Sequence, residues 1–164
     1  MNRKLKIKSF SSVLIVAVFA LGFIVAANAQ TQKTKTSFRP AATTQQPLFQ
    51  EYRGIKLGMS AEEARAKLGK AALKENDQDF YVVSDNESIQ IVYNNQQQVI
   101  TISIDYLGGV GAPDPSAVVG GNLETTANGA LYKLVRYDSL GFWVSYNRTT
   151  GPVGSVTITL QKIA

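Results

Sequence analysis

The stretch Ser88-Ile89-Gln90-Ile91-Val92-Tyr93-Asn94, followed after Asn95-Gln96-Gln97 by Gln98-Val99-Ile100-Thr101-Ile102-Ser103-Ile104-Asp105-Tyr106, decides the fold class. Ile89, Ile91 and Tyr93 alternate with Gln90, Val92 and Asn94. Ile100, Ile102, Ile104 and Tyr106 alternate with Val99, Thr101, Ser103 and Asp105. A period of two puts each set on its own side of a pleated strand, so both segments read as strands with one buried face. Phe80 to Ser84 reads as an earlier strand, and Asp85-Asn86 and Asn94-Asn95-Gln96 supply the turns of a three-strand antiparallel meander.

On the N-terminal side the period changes to a helical one. Ser60 is followed three residues later by Glu63, the pattern of a capping box, and Ala61, Ala64 and Leu68 share a face while Glu62, Arg65 and Lys67 point elsewhere. Gly69 can take the left-handed position that ends such a helix, so residues 60–68 are expected to form a short amphipathic helix.

On the C-terminal side Gly108-Gly109-Val110-Gly111-Ala112-Pro113-Asp114-Pro115 interrupts the strands. A dinucleotide fingerprint would place its third glycine at Asp114, whose charge repels a pyrophosphate; Asp114 with Pro115 instead suits a helix start, with Ser116 to Val119 as one turn. A second meander follows at 131–137, 142–147 and 155–161, its inward set being Phe142, Val144, Tyr146, Val156, Ile158 and Leu160. The fold class is therefore α+β: one or two short helices packed on an antiparallel sheet of about six strands in two meanders. Laying residues 58–94 over 111–147 matches Gly58 with Gly111, Ala64 with Ala117, Val82 with Val135, Asp85 with Asp138, Tyr93 with Tyr146 and Asn94 with Asn147. A degenerate tandem repeat and shared turn and strand chemistry both account for these matches.

Of the 164 residues the first 29 read as a signal peptide: Arg3, Lys4, Lys6 and Lys8, an apolar run from Ser12 to Ala26, then Ala27-Asn28-Ala29 before the cut. The apolar run is shorter than the roughly 20 residues a spanning helix needs. Its removal takes four of the 17 basic residues and none of the 12 acidic ones, leaving a net charge near +1. That balance gives no electrostatic basis for binding nucleic acid or an anionic membrane. Residues 30–47 are polar and aperiodic, a flexible linker, and residues 48–164 make one globular domain.

The chain has no His and no Cys, which removes Ser-His and Cys-His nucleophile pairs, the usual zinc ligands, disulfides and a thiol for a lipid anchor. Carboxylates and lysines remain, without a local catalytic signature, so the expectation is a non-enzyme with no cofactor or metal. The sequence does not indicate an oligomeric state.

Gly58-Met59-Ser60, the Glu-rich amphipathic turn, Leu68-Gly69 and the meander resemble the Gly-Met-Thr/Ser…Leu-Gly signature of β-lactamase-inhibitor-like domains. The small outer-membrane lipoprotein of the barrel-assembly machinery is related to that family. The resemblance covers residues 54–107 and implies helices on one sheet face, with the other free to meet another protein. The chain departs from the family in lacking both a lipobox cysteine and the cysteines of the secreted inhibitors.

If helices cover the face carrying Ile89, Ile91, Ile100, Ile102, Phe142 and Ile158, the other carries Gln90, Asn94, Thr101, Ser103, Trp143, Ser145, Thr157 and Thr159. Trp143 is the candidate anchor, because a Trp buries much area while ordering few torsions. Tyr81, Tyr137, Arg148 and Asp105 are the candidates beside it. The expected function is an exported, periplasmic or secreted, non-catalytic module that binds another envelope or extracellular protein through its open polar sheet face. The alternative is a small-ligand carrier with an aromatic-lined pocket between the meanders.

Overall fold

The computed structural model describes residues 46–163. The signal peptide and nearly all of the linker read from the sequence lie outside them. Among the described residues no helix is long and apolar enough to cross a membrane.

The fold is α+β and mostly antiparallel sheet. A hairpin of β1 (Glu51–Tyr52) and β2 (Ile55–Lys56) leads into α1 (Ala61–Leu68), then β3 (Leu73–Lys74), β4 (Gln78–Ser84), β5 (Glu87–Tyr93) and β6 (Val99–Leu107). The second half runs α2 (Pro115–Val119), β7 (Glu124–Thr125), β8 (Leu131–Tyr137), a 3-10 turn (Asp138–Leu140), β9 (Phe142–Arg148) and β10 (Ser155–Lys162). Eight strands form one sheet in the order β3-β4-β5-β6-β10-β9-β8-β7. The six long strands are those the alternation marks. The two-residue strands β1, β2, β3 and β7 are too short for a period to show.

The two meanders join where β6 meets β10. Residues 101–107 run antiparallel to 155–161, with Ile104 opposite Ile158 and Ile102 opposite Leu160, all four fully buried. Both helices and the hairpin cover this face: Ala61, Ala64, Val118, Val119, Tyr52 and Ile55 share one core with Ile89, Ile91, Val144 and Tyr146. Burying aliphatic side chains of this size contributes about 1.5–3 kcal/mol each.

Both helix starts follow their sequence signals. Ser60 accepts from the Glu63 amide at 3.2 Å while Glu63 reaches back to the Ser60 amide at 3.1 Å, and Asp114 accepts from the Ser116 amide at 2.8 Å ahead of Pro115. Gly69 closes α1 not in the expected left-handed helical conformation but at φ 78° and ψ −142°, a combination open in practice only to glycine.

Three details of the sequence reading need correction. Arg65 points toward the sheet, because it lies four residues beyond the buried Ala61 and so over the same side of the helix. Ile100 leaves the inward set: Val92 pairs with Thr101 but Tyr93 with Val99, so Ile100 is the extra residue of a bulge and the fully buried Val99 takes its place. The ungapped overlay fails in the first long strand of each half, since Val82 is 63% exposed on the outer face whereas its match Val135 packs against the core.

Candidate functional site

Because every long strand shows one side to the core, the register alone assembles the opposite surface. Reading across the paired strands, one row is Phe80, Gln90, Ser103, Thr159, Ser145 and Leu134. On one side of it lies Gln78, Val92, Thr101, Gln161, Trp143 and Arg136, and on the other Val82, Ser88, Asp105, Thr157, Asn147 and Tyr132. The middle strands thus contribute mostly short hydroxyl and amide side chains, with Val92 and Trp143 among them, and the outer strands contribute Phe80, Val82, Leu134 and Tyr132 together with Gln78 and Arg136. The result is a polar trough between two apolar banks.

The trough is internally hydrogen-bonded. Ser103 and Thr159 share a hydroxyl contact at 3.3 Å, the Thr157 hydroxyl donates to Asp105 Oδ1 at 2.5 Å, and the Gln90 amide donates to Gln78 Oε1 at 2.7 Å. Asp105 and Arg136 are the charged groups within these rows. Phe80, Val82 and Leu134 stand 36%, 63% and 37% exposed on the banks, and Trp143 is half-buried. Comparison with protein-family models, with curated proteins and with solved structures returns no match.

Of the five residues singled out from the sequence, the structure brings Trp143 and Asp105 onto this surface. Tyr81 and Tyr137 lie on the covered face, 3% and 4% exposed; the Tyr81 hydroxyl donates to Asp79 at 3.3 Å, and the Tyr137 ring sits 5.2 Å from that of Phe142. Phe80-Tyr81-Val82-Val83 is apolar in both phases, so alternation could not say which phase turns inward. Arg148 ends β9, exposed and in the phase of Tyr146, facing the covered side rather than the trough.

Two polar clusters that sequence reasoning missed hold the covered side together. Asp79 is wholly buried, yet its carboxylate accepts from Arg65 Nε at 2.7 Å and Nη2 at 3.2 Å, from the Tyr93 hydroxyl at 2.8 Å and from Tyr81. Burial pulls the Asp79 carboxyl upward, but the bonds from Arg65 and the two phenols outweigh it and hold it below its ordinary range. The same burial, with Asp79 alongside, raises Tyr93. At the other end of the meander Tyr52 donates to Glu87, and Arg53 donates to the Tyr52 oxygen at 2.7 Å. Burial first, and the Glu87 bond second, push the Tyr52 hydroxyl up to about 12. The available signal for the first cluster was slight: an Asp at the start of an apolar run, two positions before a Tyr, with an Arg on the preceding helix.

The β6–β10 ladder joins the meanders, and the clefts at its end, lined by Asp105, Leu107 and Ser155 and by Gly108, Arg148 and Val156, have no aromatic side chain among their described lining residues. Among the described residues no group of three or more carboxylates is placed to hold a metal ion.

Proposed function

We propose that this protein is an exported, non-catalytic module that binds another protein of the envelope or extracellular space through the open face of its sheet. The observation that carries the reading is the arrangement of that face, an almost uncharged hydroxyl-lined trough flanked by Phe80 and Val82 on one bank and Leu134 and Trp143 on the other. Interface cores favour large aromatics and few charges, and the short central side chains leave room for groups projecting from a folded partner. Export follows from the N-terminal signal, with cleavage after Ala29 and release into the periplasm or medium without a lipid anchor.

The resemblance to β-lactamase-inhibitor-like domains supports the same reading. In its finer form the fold is a degenerate tandem repeat: each half is a capped helix, a two-residue strand and a three-strand meander, and the last strands of the halves pair antiparallel across a pseudo-twofold axis. Such a duplication needs different gaps in each strand rather than the ungapped overlay.

A photo-reactive residue at Thr159, in the trough, tests the surface against one at Glu62 on the far side of the molecule. The expected result is a discrete protein adduct in living cells from position 159 alone, lost when Trp143→Ala is added. Adducts from position 62 alone, or an adduct indifferent to Trp143, would overturn the assignment.

A further inference from the structure

The covered face does not close completely at the end of β10. Leu48, Phe49 and Leu57 on one side and Leu140 and Phe142 on the other wall a cleft of about 690 Å3, within the size range of small-molecule sites. Leu48 and Leu140 are about half exposed, and Phe49, Leu57 and Phe142 lie against the core. The walls are thus continuous with the hydrophobic interior, while the mouth is open to water.

The polar groups of the cleft are unequal. The Gln50 amide donates to the Pro47 carbonyl at 3.1 Å, and Glu51 and Lys56 neutralise one another at 3.0 Å. Lys162 is half-buried, and among the described residues its ammonium has neither a carboxylate partner nor a hydrogen-bond acceptor. Its stem crosses Gly58, where an added Cβ would stand 3.5 Å from Nζ, so the turn before α1 backs the lysine. Among the described residues the cleft therefore carries one excess positive charge beside apolar walls.

The geometry points to a binding site for a small amphipathic carboxylate, a straight-chain acyl anion whose alkyl part lies against Phe49, Leu57, Leu140 and Phe142 and whose head sits on the Lys162 ammonium. A purely apolar ligand would strip water from that ammonium without pairing it, and a cationic head would meet it directly. One ammonium matches a monoanion rather than a dianionic phosphate. Lys162 pairs with Phe142 across β10 and β9 in the core-facing phase, so the cleft lies on the side of the sheet away from Trp143 and the two sites can be tested separately.

The test is calorimetric titration of the exported product, purified from cells expressing the full chain, with decanoate and with decyltrimethylammonium below their micellar concentrations. Decanoate is expected to bind saturably at one site and the cationic analogue not to bind. Lys162→Gln should weaken decanoate about tenfold. Leu140→Asp, at a half-exposed rim position, should abolish binding with its thermal melt retained, and Trp143→Ala should leave binding unchanged. Absent saturation, equal binding of the two head groups, unchanged affinity in Lys162→Gln, or loss in Trp143→Ala would each overturn the proposal. The outcome is independent of partner capture through the open face.

Discussion

Asp79 receives two hydrogen bonds from the guanidinium of Arg65, at 2.7 and 3.2 Å, and through them β4 is tied to α1. The carboxylate has no contact with solvent, while the arginine side chain keeps a quarter of its surface exposed. Removing the buried partner of such a pair is costly even where the intact pair adds little net stability. Asp79→Ala is therefore expected to destabilise the domain by about 3 kcal/mol, the low end for broken buried pairs because Arg65 can turn to water. A urea midpoint unchanged from wild type would show that the pair does not hold the helix.

The same cluster sets the acid limb. The folded Asp79 carboxyl lies below its ordinary range, so near pH 4 the unfolded chain binds more protons and stability rises with pH. Its contribution is complete above the unfolded value of about 3.9 and is lost as pH falls through the lower folded one. Urea unfolding between pH 5 and 2 should show a slope in the wild type that is reduced in Asp79→Asn; parallel curves would count against the assignment.

The alkaline limb has the opposite sign. Tyr52 titrates near 12 in the folded chain and about 10 when unfolded, so the folded form keeps its proton longer and stability is full below pH 10 and lost as pH climbs through 12. Tyr81, Tyr93, Tyr106 and Tyr146 are raised as well, burial being the leading cause in each. Tyrosinate absorbance followed against pH should rise late and together with loss of fold. Tyr52→Phe should soften the alkaline slope, and early independent ionisation of these groups would contradict the packing.

Gly58 holds φ at 86° beneath the Lys162 stem. Gly58→Ala places a Cβ in the left-handed region at a cost of about 1–2 kcal/mol. Thermal melting should register that loss, and Gly111→Ala, at φ 81° with nothing within 4 Å, should lose a similar amount because Lys162 meets the Gly58 position only at ordinary contact distance; unchanged melting in both would count against strain at these turns.

Ile104 faces Ile158 at the junction of the two meanders, and both are fully buried. Truncating Ile104 to Ala should cost about 2–5 kcal/mol, a large part of the 5–15 kcal/mol that folds a domain. A small effect would mean that this contact contributes little to joining the halves.

Much of this fold is legible in the sequence because its signals are local. The alternation of Ile89 and Ile91 with Gln90, the Ser60–Glu63 box and the Asp114-Pro115 start each answer to a rule that spans a few residues. What was not legible depends on pairing between distant segments. The bulge at Ile100 exists only relative to β5, and the inward phase of Tyr81 is set by Asp79 finding Arg65 fourteen positions away. The open face was half legible: Trp143 and Asp105 follow from phase, but the rows they join require the β6–β10 register. The cleft at Lys162 was invisible, since it gathers residues from 48 to 162 that share no local pattern.

The sheet ends on both flanks in strands of only two residues, Leu73–Lys74 and Glu124–Thr125. Each caps only part of its neighbour, Asp79–Phe80 of β4 and Leu131–Tyr132 of β8, so among the described residues the rest of β8 from Lys133 to Tyr137 keeps a free edge that carries the charges of Lys133 and Arg136. Growth into a continuous ribbon by side-by-side addition of further copies would thus have to seat a strand against two like charges, and it is the side chains of that edge rather than a covering strand that oppose it.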